Sequence, residues 1–353
     1  MKISILTDEY PPIIGGAGVV AKQIFDNLST KHNVFCYCSA KGPKLIFKLF
    51  WPFYYMSFKL IYNIINSDLI IINDIRSAYF LSYFPSFVIS KCVYIVHGTE
   101  YEVVYTNISK KNSLICLRER YNIFVKNCKK IISVSDYTKN IFEKEIPKDV
   151  RQKLTSSYVG LSSDFIISED ERKLKCDDDI FKFVSVSRIE NRKGYFEMLE
   201  RFIELNNHVS TNFKWHIYGR GGIRDELIRE VNSRGLNDRI IFEDETDRDL
   251  IFKHEFKKKN FDVFWLLPNQ PEAFGLTFIE SAARGVPSIG VFKYGIKESI
   301  SKGESGYFIE DHKLDYLVSI IKNDHELQLS SIRFARKFLI SNFVESLISN
   351  ESN

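Results

Sequence analysis

The chain has 353 residues, 44% of them hydrophobic and 27% charged, which describes a soluble globular protein long enough for two domains that each bury a core. A formal net charge of +4 is too small to suggest nucleic acid as a partner. The six cysteines (Cys36, Cys38, Cys92, Cys116, Cys128, Cys176) contain no C-x-x-C pair and no histidine at metal spacing, which excludes a disulfide framework and a structural zinc and points to reduced thiols in the cytoplasm.

The charge is unevenly spread: residues 1–164 carry 21 Lys+Arg against 13 Asp+Glu, and the remainder 28 against 32. A basic first half facing an anionic membrane or a lipid-linked acceptor would give this asymmetry; scattered solvating lysines give the same sums. Met1-Lys2 runs straight into the strand-like Ile3–Thr7, leaving no room for a signal peptide. A glycine-rich loop, Asp8–Gly18, then opens a helix from Val19 to Leu28. Gly16, Gly18 and Ala21 formally satisfy G-x-G-x-x-A, but the glycines lie too far beyond the strand, and the second strand, Asn33–Ser39, ends without the ribose-binding acid of a dinucleotide site. This argues against a dehydrogenase.

Residues 45–60 form an aromatic tract interrupted by Lys48, Pro52 and Lys59, too short to span a bilayer. Its aromatic and basic residues suit a surface in the lipid interface, although buried helices of the first domain would read the same way. Strand-like runs Asp68–Asn73, Lys91–Val96 and Ile131–Val134 alternate with helical runs Ile75–Ser90 and Leu114–Lys130, which predicts a parallel sheet covered on both faces. The strand ending at Val96 delivers His97-Gly98 to its carboxyl end, where open α/β sheets bind ligands; a histidine there can donate to a sugar hydroxyl or carry a proton. Ser135 or Asp136 caps the following helix.

A polar run, Ser168–Asp179, marks the domain boundary, giving residues 1–167 with a crossing segment 331–350 as one domain and 168–330 as the other. The second domain opens with a strand that carries Arg188 to its end, with Lys193 five positions on. Two cations converging there would neutralise a departing diphosphate. The strand Phe213–Tyr218 closes on Gly219-Arg220-Gly221-Gly222, a turn suited to backbone contact with a nucleotide. Asp247-Arg248-Asp249 matches a D-x-D metal motif by letter only, because it opens a helical run. The stretch Pro271–Pro287, PEAFGLTFIESAARGVP, follows the strand Phe261–Leu267. It sets Glu272 in a loop and Glu280 eight positions later in a helix, with Gly275 between them permitting close backbone approach. Carboxylates accept from hydroxyls and helix N–H groups face anions, so the stretch suits a sugar attached to a phosphate.

With Phe274-Gly275-Leu276, Ser281-Ala282-Ala283, Gly285 and Pro287 also in place, this stretch resembles the Glu-x7-Glu signature of retaining GT-B glycosyltransferases, the glycosyltransferase family 4 type. The resemblance covers most of the chain, with its motifs concentrated in residues 183–309. It implies an α/β GT-B fold, two Rossmann-like doubly wound parallel-sheet domains facing across a cleft. The second holds the nucleotide sugar, of UDP or GDP type, and the first holds the acceptor. It further implies that Arg188 and Lys193 stabilise the leaving diphosphate, Glu272 holds donor-sugar hydroxyls, Glu280 holds the ribose and His97 contacts the sugar. Gly15, Gly16, Gly219, Phe274, Gly275, Leu276 and Thr277 would line the donor.

By the same resemblance no metal or cofactor takes part; the aromatic, basic first domain favours a saccharide acceptor that is lipid-linked, as in surface polysaccharide assembly (O-antigen, capsule or lipopolysaccharide), at the inner face of the cytoplasmic membrane. Tyr158-Val159-Gly160-Leu161 lacks the Asn and Asp that the family carries before the linker, and Glu243-Asp244-Glu245 stands where the family has a glycine-bearing turn near the base. Alternatives are a nucleotide-sugar 2-epimerase of the same fold and a non-catalytic nucleotide-sugar-binding subunit.

Overall fold

The computed structural model describes residues 1–11, 15–38, 58–98, 100–106, 109–172, 180–208, 212–322 and 324–349. It divides into two compact units, Met1–Gly160 with Ile340–Asn353, and Leu161–Leu339. Each unit is built on a six-stranded parallel sheet.

The first sheet comprises β1 (Lys2–Thr7), β2 (Asn33–Cys38), β3 (Leu69–Ile72), β4 (Cys92–Val96), β5 (Lys130–Ser133) and β6 (Leu154–Ser156), in the order β2-β1-β3-β4-β5-β6. β3 and β4 are buried along their whole length because a parallel sheet carries helices on both faces, so their sequences, LIII and CVYIV, are continuously apolar. α1 (Gly16–Leu28) buries Val20, Ala21, Ile24 and Leu28. The chain returns to this unit as α7 (Ile340–Ile348), which buries Ile340, Phe343, Val344 and Leu347 beside α1.

The second sheet comprises β7 (Ile180–Val186), β8 (Asn212–Tyr218), β9 (Ile240–Glu243), β10 (Val263–Trp265), β11 (Ser288–Gly290) and β12 (Gly306–Phe308), in the order β12-β11-β10-β7-β8-β9. Its core is aromatic: Phe183, Phe202, Trp215 and Trp265 are fully buried, with Trp215 and Trp265 in edge contact at 4.9 Å. In each unit the connections reverse direction once, between β1 and β3 in the first and between β7 and β10 in the second. Strand ends diverge there and leave a crevice, so these two points are where ligands bind in open α/β sheets.

Several boundaries differ from the sequence reading. The polar run does not start the second unit. Ile167 N–H bonds Ala283 O at 3.1 Å, and the buried Arg172 donates from Nε to Gln328 and from Nη2 to the Phe261 carbonyl, both at 3.0 Å. The division falls at 160/161, and the return to the first unit at 339/340 rather than 331. Helix α1 begins at Gly16, three residues early, which puts Gly16 and Gly18 inside its first turn rather than in a loop. The expected helix Ile75–Ser90 is two helices, α3 (Ile75–Leu81) and a short Ser86–Ile89, parted at Pro85, whose ring has no N–H for a continuous helix. Of the aromatic tract, residues 45–57 lie outside the described residues; Phe58 opens α2 (Phe58–Ile65). Among the described residues no helix is long and apolar enough to cross a membrane.

Candidate functional site

In the second unit the crevice lies beyond the ends of β7 and β10. After β7 the chain passes Arg188 and makes one 3-10 turn, Asn191–Lys193, closed by Gly194 at φ +77°. A side chain at Gly194 is doubly excluded, since its Cβ would stand 1.9 Å from the Leu267 carbonyl oxygen. That close approach ties the turn to the chain leaving β10 and turns Lys193 inward. Lys193 is buried, and its Nζ lies 2.5 Å from Glu272 Oε1. Burial pushes the ammonium pKa down, against the opposing pull of Glu272.

Arg192 Nη1 reaches the same carboxylate oxygen at 3.2 Å, and its Nε pairs with Glu190 at 2.9 Å. Arg188 pairs with the other Glu190 oxygen at 3.3 Å, with its side chain 56% exposed. The charges therefore alternate along Arg188–Glu190–Arg192–Glu272–Lys193. The expected convergence of Arg188 on Lys193 is not direct: Arg192 and Glu190 stand between them. An exposed pair such as Arg188–Glu190 is weak, so Arg188 can turn to an arriving anion at little cost.

Glu272 sits on a loop fixed by Gly295, whose N–H donates to the Glu272 carbonyl at 2.9 Å and whose Cβ, if present, would lie 2.1 Å from the Ala273 oxygen. Gly275, at φ +92°, starts α6 (Leu276–Ala282). Only seven residues long, α6 offers a small dipole, and the positive charge of the crevice comes from Lys193, Arg192 and Arg188 instead. Phe274 turns its ring into the core against Phe338, 5.6 Å between centroids. Leu276 and Thr277 are half-buried. Gly219, at φ +138°, packs its α-carbon against the Ser187 carbonyl and so braces the Arg188 loop from behind.

Glu280 is 2% exposed and takes the Arg248 guanidinium at 2.5 Å. Burial raises the Glu280 carboxyl pKa, and Arg248 opposes the rise. The guanidinium lies over the Phe165 ring at 4.7 Å. The sequence reading passed over both arginines. Arg248 sat inside a rejected metal motif whose first residue, Asp247, caps a helical turn by accepting from Leu250 N–H at 2.9 Å. Glu243 ends β9 and bonds His216 Nδ1 at 2.7 Å and Lys259.

In the first unit a cavity of about 760 Å³ opens beyond β1, β3 and β4, lined by Thr7, Asp8, Asn73, Asp74, His97 and Glu100 among others. His97 Nε2 lies 2.8 Å from Asn73 Oδ1, and burial pushes its pKa down to about 4. Asp74 caps α3 through Ser77; burial and then the neighbouring Asp8 raise its pKa to about 7. Gly15 caps α1 without a side-chain bond, and a Cβ on Gly16 would meet nothing within 4 Å among the described residues.

Residues 167–337 match the family model described as glycosyl transferases group 1. This segment, just under half of the chain, is similar to a glycosyltransferase domain. The chain is 24% identical over 187 residues to the poly(glycerol-phosphate) alpha-glucosyltransferase of Bacillus subtilis (strain 168), a match covering 50% of this chain and 26% of that protein. It spans less than half the length of the curated relatives it matches. Among solved structures, Anabaena Alr3699/HepE in complex with UDP and glucose superposes with a TM-score of 0.71 at 16% identity, covering 99% of this chain and 98% of that one. WaaG, a glycosyltransferase involved in lipopolysaccharide biosynthesis, does so at 0.65 and 14%, covering 98% and 100%. With two six-stranded parallel sheets, the chain has the GT-B fold. The group 1 domain coincides with the second unit to within a few residues at either end, so the Lys193–Glu272 crevice lies inside it.

Proposed function

We propose that this chain transfers a sugar from a nucleoside diphosphate sugar, of UDP or GDP type, to a saccharide acceptor, with retention and without a metal, in cell-surface polysaccharide assembly. The observation that carries the reading is Lys193 held buried against Glu272 at the switch point between β7 and β10. An ammonium kept out of water has little solvation to lose on meeting a diphosphate, and a carboxylate beside it accepts from sugar hydroxyls.

In the reaction the bond from the anomeric carbon to the diphosphate oxygen breaks, and a bond from that carbon to the acceptor oxygen forms on the same face. The acceptor proton passes to the departing phosphate. Lys193, with Arg192 and Arg188, offsets the charge that develops on the diphosphate; Glu272 orients the donor sugar and Glu280 holds the ribose. His97 contacts the sugar. Retention rests on the resemblance of the Glu272–Glu280 stretch, and the UDP in the Anabaena structure supports a nucleotide-sugar donor.

Thermal-shift measurements against UDP-, GDP- and ADP-sugars test the donor: one class is expected to raise the unfolding temperature, since a bound ligand stabilises by about 2.7 kcal/mol at 100 times its Kd. No shift with any of them would overturn the reading. Slow hydrolysis of that donor is expected without acceptor; conversion to an epimer would make the chain a 2-epimerase, and an inert complex would make it a binding subunit.

The acceptor is proposed to be lipid-linked, presented at the inner face of the cytoplasmic membrane. Helix α2 supports this, leaving Phe58, Tyr62 and Ile65 exposed at 94%, 62% and 41% while burying Leu60 and Ile64, an apolar face turned to solvent beside Lys59. Flotation with anionic liposomes is expected to carry the protein upward, and Phe58→Ser with Tyr62→Ser to reduce the bound fraction; equal flotation of the variant would remove α2 from the contact.

A further inference from the structure

At the switch point of the first unit, four strand and helix ends meet through one side-chain amide. Asn73, just past β3, donates from Nδ2 to Ala17 O at 2.9 Å, in the first turn of α1, and to Thr7 Oγ1 at 3.1 Å, at the end of β1. The Thr7 hydroxyl proton is already committed, donated to the Glu9 carbonyl at 2.8 Å. A carbonyl oxygen can only accept, and a hydroxyl oxygen whose proton is committed elsewhere can here only accept as well. Turning the Asn73 amide over would set its oxygen against both of these oxygens with no proton between them, so the amide has a single allowed orientation. Its Oδ1 must then face His97.

The same accounting extends to the imidazole. Oδ1 has no proton, so the 2.8 Å contact with His97 Nε2 requires a proton on Nε2. The Glu100 carboxylate, buried in the same loop, takes the backbone N–H groups of His97 and Gly98 at 2.7 and 2.6 Å. The other ring nitrogen, Nδ1, has no partner among the described residues, while His97 lines the cavity of about 760 Å³.

We infer that Asn73 is a positioning residue that locks His97 in the Nε2–H tautomer, so that His97 offers the cavity a bare Nδ1 lone pair, a site for a ligand hydroxyl. That hydroxyl belongs to a sugar if the glycosyl-transfer reading above holds; the tautomer itself does not depend on it. Of the two roles read from sequence, donating to a sugar hydroxyl or carrying a proton, this inference replaces the first, because the ring N–H is spent on Asn73. The hydroxyl donates and His97 accepts.

Nitrogen-15 histidine labelling of the full chain, read by long-range proton–nitrogen correlation near neutral pH, tests this without any substrate. Native His97, assigned by its loss in His97→Gln, is expected to show one protonated nitrogen, Nε2, and one unprotonated, Nδ1. Asn73→Ala removes the acceptor, and the two resonances are expected to collapse toward an averaged pair as the tautomers exchange. A native ring that is Nδ1-protonated or doubly protonated overturns the inference, and the native spectrum decides it even if Asn73→Ala fails to fold. If the tautomer is confirmed and no sugar is transferred, the functional reading fails and this inference stands. If sugar is transferred by a protein whose His97 is Nδ1-protonated, the reverse holds.

Discussion

Lys193→Ala is expected to lower glycosyl transfer by about 10²- to 10³-fold, the usual loss when one preorganised group that stabilises developing charge is removed. The fold should survive. Glu272, left without Lys193, keeps Arg192 at 3.2 Å, so no buried carboxylate is stranded. Lys193→Arg should not restore activity, because the Lys193 side chain is 11% exposed and a wider guanidinium has no room to rotate into its place. Glu272→Ala should reduce transfer as severely by a different route. It releases Lys193 and Arg192 to bind the diphosphate in unproductive positions and removes the acceptor for the sugar hydroxyls. Steady-state transfer or donor hydrolysis measures both, with circular dichroism as the control for folding. Near-normal turnover in either variant would remove the crevice between β7 and β10 from the chemistry.

The second large effect is on stability. Glu280→Ala should destabilise the second unit by about 3 kcal/mol, because removing the buried partner leaves the arginine only the exposed Asp249, 3.1 Å from its Nη1. The arginine left behind, Arg248, is held over Phe165 and already has one buried nitrogen, Nη2, with no partner among the described residues. Replacing both members, Glu280→Leu with Arg248→Met, should recover most of that loss, since an apolar pair of similar volume bears no desolvation cost. Urea unfolding followed by tryptophan fluorescence reads this directly: Trp215 and Trp265, two of the three tryptophans, are fully buried in the second unit. A Glu280→Ala midpoint equal to the native one would mean that Arg248 finds water or another partner.

These two carboxylates divide what the stretch Pro271–Pro287 contributes. Glu272 stands in a solvent-reachable loop with two cations on one oxygen and is free to exchange them for a ligand. Glu280 is inside the helix–sheet layer and has one carboxylate oxygen on Arg248. By spacing alone both were orienting groups; in three dimensions Glu272 can trade its cations for a ligand, while Glu280 is braced by Arg248.

Most of the architecture was legible in the residues. Runs such as LIII and CVYIV are continuously apolar because strands of a covered parallel sheet bury both faces, so their alternation with helical runs announced one such sheet, and the resemblance implied the second. Lys193 and Glu272 were singled out because each lies in the loop that follows a strand, past Val186 and past Trp265, where the fold concentrates ligand contacts. Gly275, singled out in sequence for close backbone approach, has the positive φ, +92°, that only glycine adopts readily.

What the sequence could not show is which polar groups choose each other. Arg248 and Glu280 are 32 positions apart, Asn73 and Thr7 66 apart, and Arg192 and Glu272 80 apart. Periodicity constrains neighbours along one element; it says nothing about which strand ends the sheet order brings together. The sequence by itself determined that two parallel α/β units would form and where their strands would end. The tertiary structure decided the pairings at those ends, because only the order β2-β1-β3-β4 sets Thr7, Asn73 and His97 side by side, and only β10 beside β7 lets the Glu272 loop meet Lys193.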